Sequence, residues 1–123
     1  MRCIRCTITL LIKNSRITGT TIGRGTGLKS FVRDHVDGTE RTSMELAIVG
    51  YDQRSGAFSE RGDSGAIIVD SRGRAAALLI GGSGHHTESR VDITYGTPFA
   101  WLLERIKDEF PNIHLYPTVP DDL

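Results

Sequence analysis

The apolar residues of this chain come in short, largely β-branched runs, and glycine cuts between them repeatedly. Runs of that length fit half-buried strands closed by turns better than amphipathic helices. With 14 glycines among 123 residues, the pattern predicts one all-β domain, rich in turns and large enough to bury a core without staples. Formal net charge is zero, so no electrostatic footprint points to nucleic acid. No apolar run approaches the ~20 residues of a membrane span, and no membrane contact is expected.

At the N-terminus, Met1-Arg2-Cys3-Ile4-Arg5-Cys6 precedes the apolar stretch Thr7 to Ile12. That stretch is at the lower limit of about 7 residues for a signal-peptide core and has no small-residue cleavage site after it, so a strand is the better reading. Cys3 and Cys6 have no second cysteine pair to complete a zinc site and no βαβ context for redox chemistry, so they read as incidental thiols. No metal or cofactor is expected. Two cysteines this close cannot build a disulfide framework, which favours an intracellular, cytoplasmic setting.

From Thr7 to Ile22 the pattern reads as a hairpin, with Ile8, Leu10 and Ile12 alternating against Thr7, Thr9, Leu11 and Lys13, and Asn14-Ser15 as turn chemistry. Gly23-x-Gly25-x-Gly27 lacks the lysine and helix opening of a phosphate loop and reads as a strand corner. Further strands are predicted over Leu28–Arg33, Met44–Gly50, Ala66–Asp70, Ala75–Ile80 and Val91–Tyr95, with a turn at Asp37-Gly38. The continuous apolar runs of Ala66–Asp70 and Ala75–Ile80 suit strands buried on both sides. Tyr51–Arg61 and Gly81–His86 read as loops. A helix over about 97–110 follows, capped by Thr97 and with Pro98 in its first position. Phe99, Leu102, Leu103, Ile106 and Phe110 share one of its faces. Pro111 ends it, and residues 113–123 read as a mobile tail after a domain of residues 1–112.

The chemistry concentrates in Phe58-Ser59-Glu60-Arg61-Gly62-Asp63-Ser64-Gly65-Ala66. Glycines at 62 and 65 permit a backbone path that residues with a Cβ resist. A serine in such a turn presents its hydroxyl outward beside backbone N–H groups, the arrangement that stabilises an oxyanion when a hydroxyl attacks a carbonyl. Two rival motifs fit less well. The G-x-S-x-G elbow of α/β hydrolases requires a glycine where Ala66 stands. Lipases with Gly-Asp-Ser-Leu need a C-terminal Asp-x-x-His, which is absent. Arg61-Gly62-Asp63 also spells an integrin tripeptide, but the serine turn already explains those residues.

Gly62-Asp63-Ser64-Gly65 followed by an apolar strand resembles the nucleophile loop of trypsin-like (chymotrypsin-fold) serine peptidases. The order of features over about residues 8–112 is similar to that family's C-terminal barrel: serine loop, strand hairpin, the glycine-rich segment Gly81–Gly84, a last strand, and a helix bearing Trp101. The stretch from Ile12 through Gly19 to Glu60 looks like fungal trypsin-like proteins. The resemblance implies a six-stranded antiparallel Greek-key barrel with a C-terminal helix. It also implies Ser64 as nucleophile and the Gly62 and Ser64 amides as oxyanion donors. Asp63 matches the acid that pairs with a freed N-terminal amine; here Arg61 or Arg16 is the expected substitute cation. Phe58 matches the specificity position at the pocket base, and Ile80, Gly81 and Gly82 match the substrate-contacting wall.

The departures matter as much. The family carries its catalytic His and Asp on a first barrel, and 63 residues before Ser64 leave no room for one. His35, between Asp34 and Asp37, is the internal candidate for a base; His85 and His86 fall in the pocket-border loop and His114 in the tail. All four read as solvated loop residues. The expectation is a trypsin-like homologue truncated to its nucleophile-bearing barrel and inactive alone, because a serine without a base is a weak nucleophile. Its partners would be a peptide or protein substrate and either a homodimer mate or the missing barrel. The alternative is a non-catalytic β-barrel used for binding or self-association.

Overall fold

The computed structural model describes residues 9–52, 54–83 and 93–115, with the side chains of residues 34–36 left aside. Six strands are followed by one helix: β1 (Thr9–Ser15), β2 (Gly19–Val36), β3 (Thr39–Gly50), β4 (Ile67–Asp70), β5 (Ala75–Ser83), β6 (Ile93–Pro98) and α1 (Phe99–Glu109). The sheet is antiparallel throughout and closes on itself in the order β1-β2-β3-β6-β5-β4. Because β4 pairs with β1 rather than β3, the connection 51–66 must cross one end of the barrel. That crossing carries the serine turn.

Period-2 alternation sorts side chains between the barrel interior and its outer surface. Inside, Leu11, Ile48, Phe58, Ile68, Ala77 and Leu79 form one cluster, with Leu46, Ala66 and Ala76 against it. On β1 the inward positions are Leu11 and Lys13, so Leu10 and Ile12 stand on the outer face and Leu10 is 42 % exposed. The apolar runs of β4 and β5 are also buried on one side only: Ile68, Ala77 and Leu79 point inward, while Ile67 and Ile80 are exposed. A closed barrel has one dry face, and these outer residues await another surface or water.

The second arm of the hairpin expected up to Ile22 and the strand expected at Leu28–Arg33 are one strand, β2, interrupted by the glycine corner. Gly25 pairs with Ile48 and Lys29 with Leu46, so β2 carries two extra residues there. The Thr26 hydroxyl closes this bulge, donating to the Ala47 carbonyl (3.2 Å) and accepting from the Leu28 amide (3.2 Å). Asn14 and Ser15 belong to β1, and the β1–β2 turn is Arg16-Ile17-Thr18. Asp37 and Gly38 both have positive φ (51° and 74°) between the paired Val36 and Thr39, the two-residue turn that matches strand twist.

Gly81, Gly82 and Ser83 are strand rather than loop: they pair with Tyr95, Thr94 and Ile93 and lengthen β5. Thr97 and Pro98 are the last residues of β6, and Pro98 occupies the N-cap position with no side-chain cap. The helix therefore begins one residue later than expected. Phe99, Leu102, Leu103 and Ile106 form its half-buried face, beside β5 and β6, whereas Phe110, at the C-cap, is 63 % exposed. Cys3, Cys6, His85, His86 and most of the 113–123 segment lie outside the described residues.

Gly96 tests how tight the barrel is. A Cβ there would meet the Ala77 Cβ at 2.8 Å and Ile68 Cδ1 at 3.4 Å. Overpacking of that kind costs about 1–3 kcal/mol, so Gly96→Ala should lower the urea midpoint accordingly with an unchanged m-value.

Candidate functional site

The serine turn is built from its two glycines. Gly62 and Gly65 have φ of 101° and 95°, which L side chains resist. Gly62 is required twice, because a Cβ on it would come within 2.9 Å of Ile17 Cγ1. Between them the chain turns tightly: the Asp63 amide donates to the Glu60 carbonyl (3.1 Å), and the Ala66 amide to the Asp63 carbonyl (3.2 Å). The turn is sewn to β5 by Gly65 N–H donating to Leu79 O (2.7 Å) and Leu79 N–H donating to Ala66 O (2.9 Å). Among the described residues, neither the Gly62 nor the Ser64 amide has an intramolecular acceptor.

Ser64 is exposed, and its hydroxyl donates to the Ile80 carbonyl at 3.2 Å. Ile80 is the extra residue of a β-bulge: Leu79 pairs with Gly96 and Gly81 with Tyr95, leaving Ile80 out of the β6 ladder. The structure thus brings Ser64 to Ile80, with Gly81 next along the strand, and Gly82 beyond it at half-buried depth. A carbonyl can hold a hydroxyl in place but cannot take its proton. Among the described residues no imidazole or carboxylate is hydrogen-bonded to Ser64 Oγ. His114 is exposed in the segment after α1, and the side chain of His35 lies outside the described residues.

Phe58 lies in the barrel core. It is 1 % exposed, belongs to the core cluster, and lies against the position where Gly23 would carry a Cβ. The Thr21 hydroxyl fixes its carbonyl at 2.7 Å, and the neighbouring Ser59 hydroxyl bonds that of Thr94 at 2.6 Å. The crossing segment has turned its apolar residue inward, into the core at the end of the barrel.

Among the described residues, Asp63 is the most heavily engaged side chain. Only 1 % exposed, its carboxylate accepts from the Ile17 amide (2.7 Å), the Thr18 hydroxyl (2.6 Å) and the Glu60 amide (3.0 Å), with a longer contact from the Thr18 amide (3.4 Å). Burial by itself would raise its pKa; the Thr18 hydroxyl and the Glu60 and Ile17 amides outweigh that and hold the carboxyl well below the usual carboxylate range. Neither expected cation is present: Arg61 and Arg16 are exposed and form no ion pair with Asp63. Their place is taken by two turn amides, a hydroxyl and, behind the hydroxyl, Lys13.

Lys13, also 1 % exposed, donates to Thr18 Oγ1 (2.6 Å) and Gly19 O (2.9 Å) and sits 5.5 Å above the Phe58 ring. Desolvation pulls its pKa below the ordinary lysine value, partly offset by the negative charge of Asp63. Nothing in the local sequence marks Lys13 or Thr18 as site residues; one trace is a lysine at an inward position of an alternating strand. Among the described residues no three His, Cys, Asp or Glu side chains converge as a metal group.

No protein-family model matches the chain, and no curated protein or solved structure matches it either.

Proposed function

We propose that this chain is a homologue of the trypsin-like serine peptidases, comprising the nucleophile-bearing barrel and inactive by itself. Ser64 is the acyl acceptor, and the Gly62 and Ser64 amides are the oxyanion donors. Ile80, Gly81 and Gly82 line the substrate side. The single observation that carries this reading is the Gly62–Gly65 turn, with two left-handed glycines, an exposed serine hydroxyl between them, and the Gly62 and Ser64 amides without an acceptor among the described residues. Among the described residues Ser64 Oγ is held by a carbonyl and by no base, so this reading assigns the base to a partner. A partner supplying His and Asp would complete acyl transfer to Ser64 and hydrolysis of the acyl-enzyme.

Labelling with a fluorophosphonate tests both halves of this. The folded chain alone is expected to label no faster than Ser64→Ala or the denatured background. Fast labelling abolished by Ser64→Ala would instead mean that a base reaches Ser64 within this chain or its dimer.

A second reading, a non-catalytic module that binds through its barrel surface, is favoured by one specific feature. Ile12 pairs with both Ile22 and Val69, making an apolar row across β2, β1 and β4 on the outer face. Ile22 in that row is 47 % exposed, and Leu10 and Ile67 beside it 42 % each. Patches of this kind mark interaction sites. Concentration-dependent sedimentation that Ile22→Lys abolishes would support this reading.

A further inference from the structure

Asp63 must be held for the turn to keep its shape, because its carboxylate fastens Glu60 on one side of the turn to Ile17 and Thr18 on β1–β2. The acid needs a compensating charge in a nearly dry site. Lys13 is the charged group that faces it: the ammonium and the carboxylate both use Thr18 Oγ1, at 2.6 Å each, so the hydroxyl stands between a buried cation and a buried anion. Since the hydroxyl has one proton to give, it donates to Asp63 and accepts from Lys13, and the polarity of the chain is set. The remaining described neighbours of the ammonium, the Gly19 carbonyl and the Phe58 ring, favour a cation but carry no charge. Ser15 Oγ, 3.3 Å from Thr18 Oγ1, is neutral too.

We propose that Lys13 is the internal cation of the serine loop: acting through Thr18 Oγ1 it holds Asp63, and with it the Gly62–Ser64 turn, in the form that presents both amides. This rests on the acyl-transfer reading of Ser64. Lys13 is a positioning residue in it, 51 positions upstream of the nucleophile and touching no reacting atom. The loop would then be assembled as soon as the barrel folds.

The test uses the intact, uniformly 13C-labelled chain titrated from pH 7 to beyond the lysine range, with carbon-detected spectra. The Lys13 Cε resonance is expected to titrate below the ordinary lysine value, and the carbonyl and Cα resonances of Gly62 to Gly65 to share its inflection. Lys13→Arg should keep the neutral-pH loop shifts and lose the inflection. Lys13→Met should displace or broaden the 62–65 resonances at all pH while Ala47 and Ile48 stay in place. Loop resonances that remain flat across the Lys13 inflection in the unmodified chain would overturn the proposal, even if Lys13→Met does not fold. Fluorophosphonate labelling of the unmodified chain separates the two levels: fast labelling lost in Ser64→Ala would overturn the reading of a chain inactive by itself, while the shared titration alone decides the loop lock.

Discussion

Asp63→Ala is expected to lower the free energy of unfolding by about 3–5 kcal/mol, the range for breaking a buried charge pair by removing one partner. The substitution strands the Ile17 and Glu60 amides and the Thr18 hydroxyl, and it leaves the Lys13 ammonium buried without its counter-charge. For a domain of this size, with stability of roughly 5–15 kcal/mol, that is a large fraction of the total. The check is equilibrium urea unfolding followed by tryptophan fluorescence, since Trp101 is the one tryptophan. A loss under about 1 kcal/mol would mean that water replaces the lost contacts and that the site is wetter than its 1 % exposure implies. The acid limb follows from the same group. Its folded pKa is depressed, so its contribution is complete above the unfolded value of about 3.9 and is lost as pH falls through the folded one. The unmodified chain should therefore lose stability below about pH 4 more steeply than Asp63→Asn, which has no carboxylate to protonate.

Phe58→Ala is the second large effect, with about 3–5 kcal/mol expected from lost burial and the cavity left behind. The ring is fully enclosed by the core cluster and supports the Lys13 ammonium at 5.5 Å, so truncation weakens the hydrophobic end-closure and the Asp63 site together. Phe58→Leu, which keeps most of the apolar volume, should cost less than about 1.5 kcal/mol. A residue at the base of an open pocket would behave differently: truncation there would leave stability nearly unchanged and alter ligand preference instead. Thermal unfolding of the two variants side by side distinguishes these outcomes. A loss of about 4 kcal/mol corresponds to a Tm fall on the order of 10–20 °C.

The two substitutions bear on separate layers of one structure. Phe58 closes the barrel end over which the crossing segment runs, and Asp63 fixes the turn that the segment makes next. Between them, Ser59 is buried against Thr94 on β6. The serine hydroxyl is thus carried on a segment anchored at three successive points before it reaches the surface. The proposed oxyanion role would require amides held in this way, without a lid or induced closure.

Much of this was legible in the residues alone because it depends on local stereochemistry. Asp37-Gly38 makes its two-residue turn from positive-φ tolerance, and Gly62 and Gly65 make theirs for the same reason. The strands at β3, β4 and β5 and the half-buried helix face at Phe99, Leu102, Leu103 and Ile106 follow from periodicity. Where the reading went astray, a non-local partner decided. Leu28–Arg33 fused with the preceding strand because β3 pairs across the corner, and Gly81–Ser83 became strand because β6 offers them a ladder. The resemblance implies a specificity position at Phe58, and the crossing of the barrel end places its ring in the core. Lys13 belongs to the same class: alternation put it opposite the apolar residues of β1, and only barrel closure made its side the inside. The sequence by itself determined the strand-rich chain, its turns and the serine loop, since each is written within a few residues. The tertiary structure alone decided which face of each strand is dry and which cation, at the far side of a hydroxyl, compensates Asp63. Burial and charge pairing depend on residues about 50 positions apart, and no window of local pattern contains both.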